Sequence, residues 1–405
     1  MGDDGARMAA AAVTDRASVV YIVPDKMGGM MNIIANLLAF RRPDGFTYHA
    51  VLTHNHLHTD TRFAQPLAAD TQTTVEYTLP IENLHAVMRR IQRAVPPGGG
   101  VYVAGDLLDL AVASSHDFGR AVIYMLHGDT EYYYDLAVRH DPIVHAFIAY
   151  SQRMHAELLR RLPHRAATIF HLPYGIPLPP SVRRSAAGPL RVIYAGRFEH
   201  EQKGVFDLPE IDRRLLGRGV EVQWSVAGAG PDEAELKRRW AFAPRVQWLG
   251  CLSTPMLLAA YATHDIFVLP TRFEGFPVAL VEAMGAGLVP VVSDIESGVP
   301  EIVEKGRSGE CPAIGDIAAF ADAIAQLDRD RGRLELMSAA ARQTVVARFD
   351  VRDRVAAYQS LYARWQELYR PVAGARHLQY GSRLDQPWIP NQVVRLVRSA
   401  IRAAR

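Results

Sequence analysis

At 405 residues the chain is longer than one ordinary hydrophobic core, so two domains of Rossmann size are expected. Its 49% hydrophobic and 22% charged residues are the balance of a soluble globular protein. A formal net charge of +2 argues against a general nucleic-acid binder and leaves only local basic patches to consider.

Residues 1–17 are acidic and apolar only in a few alanines; they read as a disordered start, not as a signal peptide or anchor. No apolar run approaches the ~20 residues a membrane helix needs. A first strand is expected at 18–24, a loop with Gly28 and Gly29 adjacent at 25–31, and a helix at 32–40. This unit lacks the GxGxxG spacing, so it gives weak support for a dinucleotide site. Further apolar runs fall at 48–53, 74–79, 101–104, 121–126, 146–150 and 168–172. Helical segments lie between several of them, notably 81–95 and 151–162. Alternation of this kind builds a parallel sheet covered on both faces.

Residues 177–189 (PLPPSVRRSAAGP) have no apolar period and read as a boundary. We therefore expect an N-terminal Rossmann-like domain at 18–178, a linker at 179–189 and a second Rossmann-like domain at 190–370. Strands are expected at 190–195, 220–227, 245–249, 266–269 and 289–292, and helices at 205–216, 256–263 and 278–286. From 317 to 369 the chain reads as almost wholly helical, broken near Phe349. The tail, 371–405, ends in a basic amphipathic helix: Val393, Val397, Ala400, Ile401 and Ala404 against Arg395, Arg398, Arg402 and Arg405. It fits two readings, packing on the first domain or lying on an anionic membrane with Trp388 at the interface. The cysteines, Cys251 and Cys311, form no metal framework and fit a reducing cytosol.

The chemistry concentrates at 265–294. A buried strand ends in Pro270, and a loop carries Glu274 and Gly275. A helix then begins after Pro277, carries Glu282 and is capped by Gly287. An open helix N-terminus beside a glycine is an anion site. Two other strand-end loops converge on the same chemistry: Gly196 and Arg197 with Lys203-Gly204, and Gly228 in GAGP. Two cations and several backbone N–H groups would hold a diphosphate and stabilise it as a leaving group. Paired carboxylates first suggest a glycosidase, whose pair stands about 5 Å apart or a little further. Eight helical residues would separate Glu274 and Glu282 by about 12 Å, at roughly 1.5 Å per residue. The spacing favours two carboxylates gripping different parts of one long ligand.

Glu274-Gly-Phe-Pro, Glu282-Ala-Met, Gly287 and Pro290-Val-Val resemble the E-x7-E motif of retaining GT-B glycosyltransferases, most closely glycosyltransferase family 4 (glycosyl transferases group 1). Supporting matches are AGRF at 195–198 with Lys203-Gly204, GAGP at 228–231, VQWLG at 246–250 and GVPEIVEKGRSG at 298–309. Looser ones are Gly28-Gly29, LHGD at 126–129, AYSQRM at 149–154 and PYGIPL at 173–178. The resemblance covers about 18–370. It implies an α/β GT-B fold, two Rossmann-like domains with a cleft between them, the first (18–178) for the acceptor and the second (190–370) for the nucleotide-sugar donor. It also implies a nucleotide-diphosphate sugar donor, a UDP- or GDP-sugar, with no cofactor and no metal. Arg197 and Lys203 would hold the diphosphate and Glu282 the ribose hydroxyls. Glu274, with the N–H groups of Gly275 and Phe276, would lie by the transferred sugar. His127 would reach that sugar from the first domain, and Gly29, next to Gly28, would approach the phosphates. The base would sit near Gly250, at 248–251. The implied activity is metal-independent retaining transfer to an acceptor hydroxyl, in cytoplasmic polysaccharide, glycolipid or glycoside biosynthesis, peripheral to the inner membrane face if the tail binds lipid.

Each residue also has a plainer reading. Glu274 and Glu282 can be solvated charges, Arg197 and Lys203 surface residues, Gly28-Gly29 a turn and His127 a structural histidine. Asp129 can cap the following helix. Tyr132, Tyr133 and Tyr134 fit an acceptor site or packing equally. Asp328-Arg329-Asp330 matches a metal-binding DxD pattern but lies in a charged helical run and reads as a solvated face. The competing functions are a GT-B nucleotide-sugar epimerase, a phosphorylase, for which no recognisable cofactor lysine stands, and a non-catalytic GT-B-fold binding protein. Acceptor and oligomeric state are not encoded in any motif.

Overall fold

The computed structural model describes residues 16–57, 62–63, 65–179, 188–371 and 380–403. Most of the linker expected at 179–189 therefore lies outside the described residues, as does nearly all of the start expected at 1–17. The chain divides into two compact units. The first comprises Met1–Ala149, Glu157–Leu172 and Val355–Arg405; the second comprises Tyr150–Ala156 and Pro173–Arg354.

The first unit begins β1 (Ser18–Pro24), α1 (Gly29–Ala39), β2 (Thr47–Asn55), β3 (Thr71–Tyr77), α2 (Leu84–Ala94), β4 (Gly100–Ala104) and α3 (Leu107–Ser115). It continues β5 (Arg120–Met125), α4 (Glu131–His140), β6 (Ala146–Ala149), α5 (Gln152–Arg161), which starts within the second unit's 150–156, and β7 (Ile169–His171). The seven strands pair in the order β3-β2-β1-β4-β5-β6-β7, every pair parallel. Ser18 to Val23 in β1 are all buried, as a strand flanked on both edges and both faces must be. Edge strand β3 is mostly exposed and polar, so its Thr71 start precedes the apolar run that marks it in the sequence.

In the second unit, β8 (Leu190–Ala195), α6 (His200–Lys203), α7 (Asp207–Leu216), β9 (Val222–Ala227), α8 (Glu233–Arg239) and β10 (Gln247–Gly250) come first. Then follow α9 (Thr254–Tyr261), β11 (Ile266–Leu269), α10 (Val278–Gly285), β12 (Val289–Val292), α11 (Val299–Ile302), α12 (Ile317–Arg329) and α13 (Arg331–Arg348). The sheet order is β10-β9-β8-β11-β12, again all parallel. Its core packs Trp224 edge-on against Trp240, both indoles donating to the fully buried Asp212 at 2.9 Å.

The helical run from 317 breaks at Phe349 as expected, at Arg364, and also at Asp330, whose carboxylate accepts Arg333 N–H at 2.9 Å and starts α13. Asp330 of the DxD pattern is thus a helix cap, and Asp328 pairs with Arg331. α14 (Val351–Ala363), α15 (Trp365–Leu368) and α16 (Asn391–Ala403) complete the described chain. No described helix is long and apolar enough to cross a membrane.

Parallel strands end on one edge of their sheet, so the loops that follow them share that edge. This is what gathers loops distant in sequence into candidate sites.

Candidate active site

Gly28, Gly29 and His127 belong to the first unit and the remaining expected residues to the second. Each set is built within its own unit.

In the second unit, β11 delivers the chain at Pro270 and α10 carries it away. The end of α10 is fixed by Gly287 at φ +81: its N–H reaches Met284 O at 2.8 Å, and Leu288 N–H reaches Ala283 O at 3.0 Å. Between β11 and α10, the loop is laced to α6. Arg272 N–H donates to Gln202 O at 2.8 Å, and Gln202 Nε2 to Phe273 O at 3.3 Å. Lys203 Nζ lies 2.6 Å from Glu274 Oε1, a pair with side chains only 18% and 7% exposed. The Thr271 hydroxyl, fully buried, stands 2.9 Å from the same oxygen. Two cohesive loops thus hold one carboxylate and one ammonium in contact, each compensating the other's desolvation.

Gly204 makes this contact possible. Its φ is +64, and a Cβ there would lie 2.0 Å from Pro270 O. Gly228 does the same for the neighbouring loops: with φ +137, its Cβ would fall 1.9 Å from Gly196 O. Arg197 follows Gly196; its side chain is 60% exposed, with Glu199 3.3 Å away.

Glu282 faces inward from α10 and is 3% exposed. Burial pushes its carboxyl up to about 7. Its Oε1 has no hydrogen-bond partner among the described residues. A buried carboxylate oxygen without a donor costs about 1–3 kcal/mol or more, so its place in a fold needs a reason. Both glutamates are buried, which removes the solvated-charge reading. The Phe276 side chain is core, ringed by Tyr174 at 4.9 Å and Phe349 at 5.5 Å. Pro277 is the N-cap residue of α10, Gly275 O accepts Ser297 Oγ at 3.3 Å, and Gly250 ends β10 with φ +63.

In the first unit Gly28 is the N-cap of α1 and Gly29 its first residue. His127 follows β5, and a Cβ on Gly105 would meet its Nε2 at 2.6 Å and Met30 Cε at 3.6 Å. The imidazole therefore lies over the loop after β4, beside the start of α1. Burial lowers its pKa to about 3, so it is neutral at physiological pH. Asp129 accepts the Tyr134 hydroxyl, and Thr130, not Asp129, occupies the N-cap of α4. Of the tyrosines, Tyr134 is buried packing and Tyr132, 47% exposed, bonds Asp106.

Thr271 and Gln202 belong to no motif that singles them out in the sequence. Only their places mark them, Thr271 directly after a strand-ending proline and Gln202 beside Lys203. No group of three or more His, Cys, Asp or Glu among the described residues is placed to hold a metal ion.

Two Rossmann-like α/β units in one chain define the GT-B fold of glycosyltransferases. Solved structures agree. Sucrose-phosphate synthase from Thermosynechococcus elongatus superposes with a TM-score of 0.68 at 17% identity, over 86% of this chain and 98% of that one. HepE of Anabaena in complex with UDP-glucose gives 0.64 at 17%, over 84% and 99%. Residues 189–330 match the family model of the glycosyl transferases group 1, wholly inside the second unit. Relatives include WcaL of Salmonella typhimurium, named for colanic acid biosynthesis, 34% identical over 172 residues, 40% of this chain and 42% of that protein. Glycogen synthase of Mycobacterium tuberculosis is 32% identical over 223 residues, 52% and 48%. The chain spans less than half the length of these curated relatives.

Proposed function

We propose that the protein is a retaining, metal-independent glycosyltransferase. It moves a sugar from a nucleotide-diphosphate sugar to an acceptor hydroxyl, in polysaccharide, glycolipid or glycoside biosynthesis. The observation that carries this is the buried acid pair: Glu282 with an oxygen lacking a donor, and Glu274 held by Lys203 and Thr271.

Ribose hydroxyls supply the donors Glu282 lacks. The diphosphate competes with Glu274 for Lys203, and Arg197 adds a second cation. Glu274, released from the ammonium, accepts hydroxyls of the transferred sugar. The anomeric C–O bond breaks with its electron pair leaving on the diphosphate oxygen, whose charge the two cations stabilise. The acceptor oxygen attacks the same face of the oxocarbenium-like sugar and its proton passes to the departing phosphate. Neutral His127 offers a hydrogen bond to the sugar without adding charge. HepE has been crystallised with UDP-glucose and TarM of S. aureus with UDP, which supports a nucleoside diphosphate as the common handle.

The free cysteines Cys251 and Cys311 fit a reducing cytoplasm. The exposed apolar residues of 388–401 support peripheral contact with the inner membrane face.

A thermal-shift screen of UDP, GDP, ADP, TDP and CMP with their sugars tests the reading, because ligand bound to the native state raises its apparent stability. One nucleoside diphosphate is expected to shift the wild type and not Glu282→Ala. Glu274→Ala is expected to keep the shift and lose most transfer, and EDTA to leave transfer unchanged. No shift with any nucleotide overturns the proposal, and conversion of the sugar without an acceptor would make it an epimerase.

A further inference from the structure

The first unit contains a cavity of about 540 Å³ that the donor chemistry does not use. It opens at the carboxyl ends of β1, β2 and β3, beside the start of α3, and is large enough for a ligand of sugar size. Part of its wall is the C-terminal segment, through Tyr380 and Gly381.

That segment is fastened in place. The Tyr380 hydroxyl stands 2.7 Å from Ser114 Oγ on α3 and 2.8 Å from His140 Nε2 on α4. Arg139 lies 4.9 Å over the Tyr380 ring. Beyond the turn at Gly381, Asp385 accepts Leu84 N–H at 2.8 Å and the Arg398 guanidinium at 2.7 Å. Asn83 Nδ2 donates to Gln386 O and Ile389 O at 2.9 and 2.8 Å. These bonds, the two at the Tyr380 hydroxyl buried and the rest part-buried, fix the rim of the cavity.

The lining selects a ligand type. Asp25 and Asp106 face Lys26 and Arg139, so its ionised charges balance, and Asp25 is further paired with Arg62 at 2.7 Å. Asp109 is pushed well above the usual carboxylate range by burial, which removes a third charge. A balanced site has little attraction for a polyanion. Tyr77 and Tyr132 offer ring faces with polar tips, and the carboxylates offer acceptors. Ring faces match the C–H faces of a pyranose, and acceptors match its hydroxyls.

We propose that this cavity is a binding subsite for a neutral sugar unit, walled by the C-terminal segment. Its role as the acceptor subsite rests on the transferase reading; sugar binding itself does not.

The test is saturation-transfer NMR on the full chain without nucleotide. The probes are methyl α-glucoside, methyl α-mannoside and methyl β-galactoside, with glucose 6-phosphate as the charged comparison. At least one neutral glycoside is expected to receive saturation, and the signal to fall at least about fivefold in Tyr132→Ala and in Asp106→Asn. Tyr132 is half exposed and Asn still caps α3, so both variants keep the fold. Their nucleotide thermal shifts are expected to match wild type, because neither residue is among those expected at the donor. No neutral glycoside bound, equal signal in the variants, or preference for the phosphate overturns the proposal. A missing nucleotide shift in the wild type would instead overturn the transferase reading alone.

Discussion

Glu282 couples the stability of the fold to pH. Its carboxyl titrates near 4.5 when exposed and near 7 when folded. Between those values the native state holds a proton that the unfolded chain has lost, so stability falls as pH rises through this window. The loss is on the order of 3 kcal/mol by pH 8, at about 1.36 kcal/mol per unit. Urea denaturation at pH 5 and pH 8 is expected to show this loss in the ligand-free wild type and not in Glu282→Gln. Parallel curves would show that Glu282 is not the buried acid described. The same variant is expected to weaken nucleoside diphosphate binding at pH 8, since an amide is a poorer acceptor for ribose hydroxyls than a carboxylate. The Lys203–Glu274 pair makes the opposite trade. Lys203→Met leaves Glu274 buried without its cation, at a cost of about 3–5 kcal/mol in stability. It is also expected to lower transfer by at least about a hundredfold, the scale of one lost charge-stabilising group. Steady-state kinetics beside a thermal melt checks both, and a variant that melts lower but transfers normally would make the pair structural.

Elements place these side chains through backbone contacts, and there glycine decides. Gly204 ends α6 in the left-handed region against Pro270 O. Gly204→Ala adds about 1–2 kcal/mol of conformational cost before any clash. Calorimetry is expected to show nucleotide affinity lowered at least about tenfold, because Lys203 precedes the displaced residue. The wider element contacts hang on Asp212 of α7, which takes Trp224, Trp240 and Arg245. Asp212→Ala orphans three donors and is expected to cost about 3–5 kcal/mol, read from the denaturation midpoint with near-UV dichroism for the two indoles. At this scale the sequence is legible where apolar runs meet prolines and glycines: β11, α10 and β12 follow from that punctuation. Short, charged α8 is not, because it prints no apolar period, and edge strand β3 shows only in its less polar end, because its start is polar and exposed. The Glu274–Lys203 contact is invisible for another reason. It joins residues 71 apart through a parallel-sheet crossover, and only sheet order brings their loops together.

In the whole molecule, α16 has one side docked and one side exposed. Amphipathicity alone left open whether α16 packs on the protein or faces something else, because periodicity does not say which side docks. The structure shows one side docked. Val394 is buried and Arg398 is bonded to Pro80 O, Glu82 O and Asp385, holding α16 to the first unit. The other side carries Val393 and Leu396 in solvent, with Trp388 before the helix; Leu396 and Trp388 are 74% and 75% exposed. Exposed Arg395 and Arg402 flank this face. An apolar stripe bordered by arginines suits an anionic lipid surface, where the stripe enters the headgroup boundary and the cations meet phosphate. Burying one leucine is worth about 2 kcal/mol, a factor of roughly thirty in partitioning. Co-sedimentation is therefore expected with vesicles containing phosphatidylglycerol and not with phosphatidylcholine alone. It should weaken at high salt, where the arginine contribution is screened, and drop at least about tenfold in Leu396→Ser. That variant leaves the docked side intact, so nucleotide binding should not change. Equal sedimentation of variant and wild type, or binding indifferent to lipid charge, would exclude the face as a membrane contact.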